Sequence, residues 1–386
     1  MPPEPGGSRK LAINRLRAHP VDAAAVDAFL AAQEIPIIEG SRCTFLHRGE
    51  ADEVHVSHRV VGLPHRIPLQ RLEGTDLWWV TIELLEGSRV EYRIEVTRDG
   101  HTHDQNDPLN PRLAHNPFGA NSVCAAAGYS EPWWVQHDDE ARPGVLEELR
   151  FGSRALDREV HLSVYLPARF RRTARYPLLI VHDGSDDLRF AAAKTALDNL
   201  IHVLDVASLV VAFVDPRDRL VEYPDHAGHA RFVASELLPD LARRLPLVDS
   251  PRARGLMGSS FGGVATLSTA HRHPRLFGSL IVQSGSFVFT DLPVDHGGGP
   301  AFDPVVRFMN RYRERPKRVA ERIHMSCGVY EPLITPNRAM VPVFRSTGME
   351  VRYVEARDGH NWENWRDRLR DALSWVFPGP QKYFYE

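Results

Sequence analysis

Gly258-Ser259-Ser260-Phe261-Gly262 fits the pattern G-x-S-x-G, and the central serine is the residue whose chemistry the rest of the chain has to support. A serine hydroxyl attacks an acyl carbon near neutral pH only when a positioned base takes its proton. The run Arg254 to Met257 reads as a strand and Gly263 to Arg272 as a helix, so the pattern falls on a strand-turn-helix elbow. Its glycines permit the sharp turn and leave Ser260 Oγ at the carboxyl end of a strand, above a helix N-terminus. The base should follow the last strand. His360 does so, in Asp358-Gly359-His360-Asn361-Trp362, between the strand-like Val351 to Glu355 and the final helical stretch; among 19 histidines, position singles it out. Glu331, after Gly328-Val329-Tyr330, is placed to accept a hydrogen bond from the imidazole Nδ1 and fix its tautomer. Asp358 competes for that role, although two residues before His360 it also suits shaping the turn. For a developing oxyanion, the amide of Phe261 is one donor; Val181-His182-Asp183-Gly184-Ser185 nominates the amides of Gly184 and Ser185 for the other.

The elements that must hold these residues are legible as short apolar runs: Pro177 to Val181, Leu209 to Val214, Leu256-Met257, Leu280 to Val282, Ile323 to Val329 and Val351 to Val354. Helical patterns such as Arg231 to Leu245 and Trp362 to Phe377 separate them, the grammar of a mostly parallel sheet flanked by helices. With the order Ser, acid, His, this predicts an α/β hydrolase. Upstream the period is two: Val54 and Val56, then Val90, Tyr92, Ile94 and Val96, alternate with polar residues as half-buried antiparallel strands do. The expected organisation is a helical segment over residues 1–34, a small all-β, immunoglobulin-like sandwich over 35–128, a linker over 129–144 carrying Trp133 and Trp134, and the hydrolase domain over 145–386.

Composition limits the alternatives. Lysine and arginine total 47 against 50 acidic residues, a net charge of −3, which gives no basic surplus for a nucleic acid partner. No stretch approaches the roughly 18 apolar residues of a membrane span, and the polar start Met1 to Lys10 has no signal-like apolar run, so a cytoplasmic protein with no membrane partner is expected. Cys43, Cys124 and Cys327 are far apart and odd in number, which fits buried reduced thiols. The pairs His101/His103 and His226/His229 have metal-ligand spacing without a third ligand and read as solvated loop histidines, so no metal site is expected. No dinucleotide or phosphate-binding glycine loop is present, and no cofactor is implied.

The carboxyl-terminal two thirds resembles the enterochelin (ferric enterobactin) esterase family and its esterase D-like relatives, through HDGSD at 182 to 186, DRLVEY at 218 to 223, ELLPDL at 236 to 241, GSSFGG at 258 to 263 and DGHNWENW at 358 to 365. DPLNP at 107 to 111 extends the likeness to the amino-terminal domain of those esterases. The resemblance implies a serine esterase that cleaves the ester or lactone bonds of a small molecule, a ferric catecholate siderophore, for intracellular iron release, with Ser260 and His360 at the family's serine and histidine. Asn361 departs from the aspartate many relatives carry there. On this reading Arg217 and Arg219 would face an anionic catecholate, and Trp362 would stack on an aryl group. Two other readings stand beside it: a feruloyl or acetylxylan esterase with a glycan-binding-like first domain, and a non-catalytic binding protein on a hydrolase scaffold.

Overall fold

A computed structural model describes residues 11–290 and 299–380; the Met1 to Lys10 segment discussed above lies outside the described residues. The chain divides into two compact units, one of Met1–Ser130 with Arg357–Gly359, the other of Glu131–Ala356 with His360–Glu386.

In the first unit a short helix, Ala23–Ala31, starts where the Asp22 carboxylate accepts the amide of Ala25 at 2.8 Å. Two antiparallel sheets follow. The first orders Ile37–Glu39, Arg42–Arg48, Leu77–Glu83 and Gln70–Arg71; the second runs through Arg66–Pro68, Glu53–His58, Arg89–Arg98, Gly119–Ala125 and Leu113–Asn116, with His101–Gln105 also paired to Arg89–Arg98. The alternation of Val54, Val56, Tyr92 and Ile94 is the period of their buried faces. Phe45 and Tyr92 meet edge to face, ring centroids 4.7 Å apart, linking the two sheets. Cys43 and Cys124, distant in sequence, also meet here as buried free thiols that hydrogen-bond to each other. His101 and His103 lie on an exposed strand rather than in a loop.

The second unit is built on eight strands, here β1 (Val145–Ser153), β2 (Arg158–Leu166), β3 (Leu178–His182), β4 (Val210–Val214), β5 (Arg254–Ser259), β6 (Ser279–Gln283), β7 (Arg322–Gly328) and β8 (Glu350–Ala356). Their order is β1-β2-β4-β3-β5-β6-β7-β8, antiparallel at β1–β2 and β2–β4 and parallel elsewhere. β3, β4 and β6 are buried along their whole length, which is why they read as continuous apolar runs instead of alternating ones. One core packs Ile180, Ala212, Leu256, Val264 and Val282 on one face; another packs Val181, Val211, Met257 and Leu373 on the other.

Two helices differ from expectation. The stretch around Arg231 to Leu245 is helical from Ala227–Arg231, widens into a π turn over Phe232–Leu237, and resumes at Leu238–Arg244. The last helix divides at Arg368 into Trp362–Asp367 and Leu369–Val376. His229, expected in solvent, is buried among His182, Tyr223 and Phe232. Within the second unit Trp133–Val135 forms a 3-10 turn, and Asn199 Nδ2 donates to the carbonyls of Trp134 and Gln136 at 3.0 and 2.8 Å. Trp134 packs against the core, whereas Trp133 stays 43 % exposed.

Candidate active site

The carboxyl ends of β5, β6, β7 and β8 bring the chemistry together. Ser260 follows β5 directly and caps the helix Phe261–Arg272. Its φ of 56° and ψ of −118° are strained for a residue with a Cβ, a cost the surrounding hydrogen bonds must sustain. Its amide donates to the Gln283 carbonyl at 2.9 Å, and its own carbonyl accepts the Ser286 amide at 3.0 Å. Gly258 is required by close approach, since a Cβ there would lie 2.3 Å from the Gly262 carbonyl oxygen. Ser260 is 8 % exposed, and its Oγ lies 3.1 Å from Ser286 Oγ. Among the described residues no hydrogen bond joins Ser260 to His360.

His360 opens the segment after β8, its side chain 34 % exposed, and its Nδ1 makes a short hydrogen bond to Glu331 Oε2. The Glu331 side chain is fully buried, 0 % exposed. Its other oxygen accepts the Ser284 hydroxyl and the Gly328 amide, both at 2.6 Å. Burial pushes this carboxyl upward, but the charge of His360 and the hydrogen bonds from His360, Ser284 and Gly328 outweigh it and hold it below the ordinary glutamate range. Trp365 completes the group: its indole meets the His360 ring edge to face at 5.1 Å and its Nε1 donates to Ser284 Oγ at 2.9 Å. Asp358 is occupied elsewhere. Within the first unit it takes Arg89 Nη1 at 3.2 Å, and it caps the Gly359 amide at 2.7 Å.

The opposite wall is acidic. Gly184 and Ser185 begin the helix Gly184–Phe190 after β3, preceded by Asp183 at φ 57°. A Cβ on Gly184 would strike Phe213 at 2.4 Å, so glycine is needed there. The Ser185 amide donates to Asp215 Oδ1 at 3.0 Å, so a carboxylate already occupies this expected oxyanion donor. Burial, with the charges of Asp186 and Asp215 added, raises Asp183 to about 6 despite Arg219. Asp187, 1 % exposed with neither oxygen hydrogen-bonded among the described residues, is driven well above the carboxylate range by burial and by Asp183, Asp186 and Asp215.

The expected substrate-binding residues divide. Arg219 pairs with Asp183 at 3.0 Å and donates to the Ser259 carbonyl at 3.1 Å, so its guanidinium braces the wall beside Ser260. Arg217 is exposed, and its amide donates to Glu222 Oε1 at 2.9 Å. Trp362, expected to stack on an aryl group, is 8 % exposed and packs against Trp365, Phe190 and Ala191; its ring belongs to the core because it begins a helix laid on that wall. Asn361 caps the same helix by accepting the Asn364 amide at 2.8 Å. Ser284 and Ser286 carry one signal in the sequence, a Ser-Gly-Ser immediately beyond a buried strand, at the same end of the sheet as Ser260. Among the described residues no three histidine, cysteine or acidic side chains gather as a metal would need, and no helix is long and apolar enough to cross a membrane.

A parallel sheet with an antiparallel edge, a strained serine on the β5 elbow and a histidine after the last strand define an α/β-hydrolase-type fold. Residues 153–376, more than half of the chain, match the family described as "Putative esterase", and the chain belongs to this esterase family. An iron(III) enterobactin esterase of Dickeya dadantii (strain 3937) is 25 % identical over 360 residues, 81 % of this chain and 79 % of that protein. Among solved structures, the ferric enterobactin esterase of Salmonella typhimurium superimposes with a TM-score of 0.71 at 22 % identity, over 87 % of this chain and 93 % of that one. The enterobactin esterase of Shigella flexneri, solved in the presence of enterobactin, gives 0.69 at 23 % identity, over 87 % and 92 %.

Proposed function

We propose that this chain is a serine esterase that hydrolyses the ester or lactone bonds of a catecholate siderophore of the enterobactin kind, in the cytoplasm, so that the iron it carries can be released. The likeness to iron(III) enterobactin esterases along most of both chains supports the substrate class. The observation that carries the chemistry is the His360–Glu331 pair. A buried carboxylate accepts only, so His360 must place its proton on Nδ1 and present a bare Nε2 as base. On this reading Ser260 Oγ turns from Ser286 toward His360 as substrate enters, a tightening common between free and substrate-bound sites.

Ser260 Oγ then attacks the ester carbonyl while His360 takes its proton, and Glu331 stabilises the imidazolium. The tetrahedral oxyanion is received by the amides of Phe261 and Gly184, with Ser185 available once Asp215 releases it. Collapse expels the alcohol, protonated by His360, and leaves an acyl-serine, which water activated by His360 hydrolyses. Arg217, exposed and permanently charged, is the residue we assign to an anionic catecholate; Arg219 serves by holding Asp183. Iron enters as the substrate's cargo, and no resident cofactor takes part in these steps. We read residues 35–128 as an immunoglobulin-like domain and 145–386 as the catalytic one, joined by 129–144.

Purified protein incubated with ferric enterobactin, its iron-free and linear forms, a feruloylated sugar and aryl acetates, followed by mass analysis, tests the substrate. The expected result is addition of one water per ester cleaved in the trilactone, with kcat/KM above that for the sugar. Feruloyl release with the trilactone left intact would instead establish a carbohydrate esterase.

A further inference from the structure

Two hydroxyls on the loop after β6 reach the two ends of the catalytic group. Ser284 Oγ donates to Glu331 Oε1, and two residues on Ser286 Oγ lies against Ser260 Oγ. The loop between them is fixed from several directions. The Ser284 amide donates to the Ser326 carbonyl at 2.7 Å, Asn337 Nδ2 donates to the Gly285 carbonyl at 2.8 Å, and the Ser286 amide reaches the Ser260 carbonyl. Gln283, just before it, accepts the Ser260 amide on its carbonyl and donates through Nε2 to the Trp365 carbonyl at 2.7 Å. Ser284 itself sits at φ 49°, a left-handed conformation that a non-glycine residue holds only when its surroundings enforce it.

We infer that Ser284 is a positioning residue for the reaction: its hydroxyl, oriented by an indole N–H, donates to the Glu331 carboxylate and so holds it charged with Oε2 turned to His360 Nδ1. This inference rests on the serine-esterase reading above. The directions follow from donor chemistry. An indole N–H only donates, so Trp365 Nε1–H must occupy a lone pair of Ser284 Oγ, and the one hydroxyl proton is then turned toward Glu331 Oε1. With Oε1 occupied by Ser284 and the Gly328 amide, Oε2 is left to accept from His360 Nδ1. Every member except His360 is buried, so a donor removed here is not replaced by bulk water.

The titratable groups facing Glu331 are His360 and the Cys327 thiol of β7; burial and the Glu331 charge keep that thiol far above its ordinary pKa, so it stays neutral. Glu355 on β8 acts on Cys327 and is itself bound by Arg338. Removing the Ser284 hydroxyl destabilises the ionised Glu331 paired with neutral His360, so the pair takes up a proton at higher pH.

The test uses the full chain with a small aryl acetate and compares Ser284→Gly, Trp365→Phe and Ser260→Ala. Glycine deletes the hydroxyl and tolerates the left-handed backbone without strain. Ser284→Gly should lower kcat about 10- to 100-fold, leave KM nearly unchanged, and move the acidic limb of kcat/KM upward by about half to one pH unit. Trp365→Phe should move the limb in the same direction by less, and it decides the matter alone if Ser284→Gly does not fold. An unmoved acidic limb, with or without loss of kcat, overturns the positioning role while Ser260→Ala, if inactive, leaves the esterase reading standing. Activity retained in Ser260→Ala would remove the reading itself.

Discussion

The two walls of the site are built on opposite electrostatic terms. On the Glu331 side one buried carboxylate accepts from Ser284, Gly328 and His360 and lies below its ordinary range. On the Asp183 side several carboxylates crowd the start of one helix: Asp183 is raised to about 6 and Asp187 is held well above the ordinary carboxylate range, with neither Asp187 oxygen hydrogen-bonded among the described residues. Both regions are buried, so burial alone does not decide the charge state. The charges and donors beside each carboxylate do: His360, Ser284 and Gly328 at Glu331, against Asp186 and Asp215 beside Asp183. The first wall is arranged to keep a charge and use it; the second holds charge at a cost in stability, beside the amides expected to receive the oxyanion.

The largest effect expected from this contrast is at the nucleophile. Ser260→Ala should lower kcat by about 10⁴- to 10⁶-fold with the fold intact, because nucleophile and base act as one unit; turnover of aryl acetate with circular dichroism as control measures it. Next is Glu331→Gln, which offers His360 Nδ1 an amide in place of a carboxylate. A loss of roughly 10³- to 10⁴-fold is expected, and a loss below tenfold would mean that the first wall is structural only.

The second wall should show itself in stability rather than rate. The Asp183 carboxyl, raised to about 6 from an ordinary 3.8, binds its proton more tightly folded than unfolded. Its contribution to stability is therefore present at low pH and lost as pH rises through 6. Between pH 4.5 and pH 7 this amounts to about 2 kcal/mol, which Asp183→Asn should not show. Denaturation of both proteins at the two pH values checks it: the variant should gain on the wild type as pH rises, and parallel curves would place the cost elsewhere. The smallest effect concerns metal. The acidic wall has the composition of a cation site, yet no three ligating groups converge among the described residues, so a chelator should leave aryl acetate turnover unchanged. Loss with recovery on adding zinc would reverse the meaning of that wall.

The two walls also differ in how far the sequence reveals them. Ser260, His360 and Glu331 stand out in the sequence as candidates because each follows a short apolar run, and the order of those runs restricts where a nucleophile, acid and base would lie; the meeting of Glu331 with His360 agrees with that order. The partners of the acidic wall carry no such constraint: Arg219 and Asp183 are 36 positions apart, and nothing local says that they meet. Ser284 was invisible because its role comes from an indole on one side and a carboxylate on the other, both distant in sequence. Trp362 is ambiguous for a related reason: an aromatic at the start of a helix beside the histidine suits a ligand or the core equally in the sequence, and its packing against Phe190 and Trp365 comes from residues distant along the chain or one turn on. In the first unit the strand alternation was plain, whereas the meeting of Cys43 with Cys124 depended on how two sheets pair their inner faces.

Labelling with a fluorophosphonate followed by peptide mapping reports the activated serine whatever the natural ester. A single adduct on Ser260 is expected in the wild type and a strongly slowed adduct in His360→Ala, where the base is gone. An adduct on any other serine, or undiminished labelling of Ser260 without His360, would contradict the assignment of Ser260 and His360 as nucleophile and base.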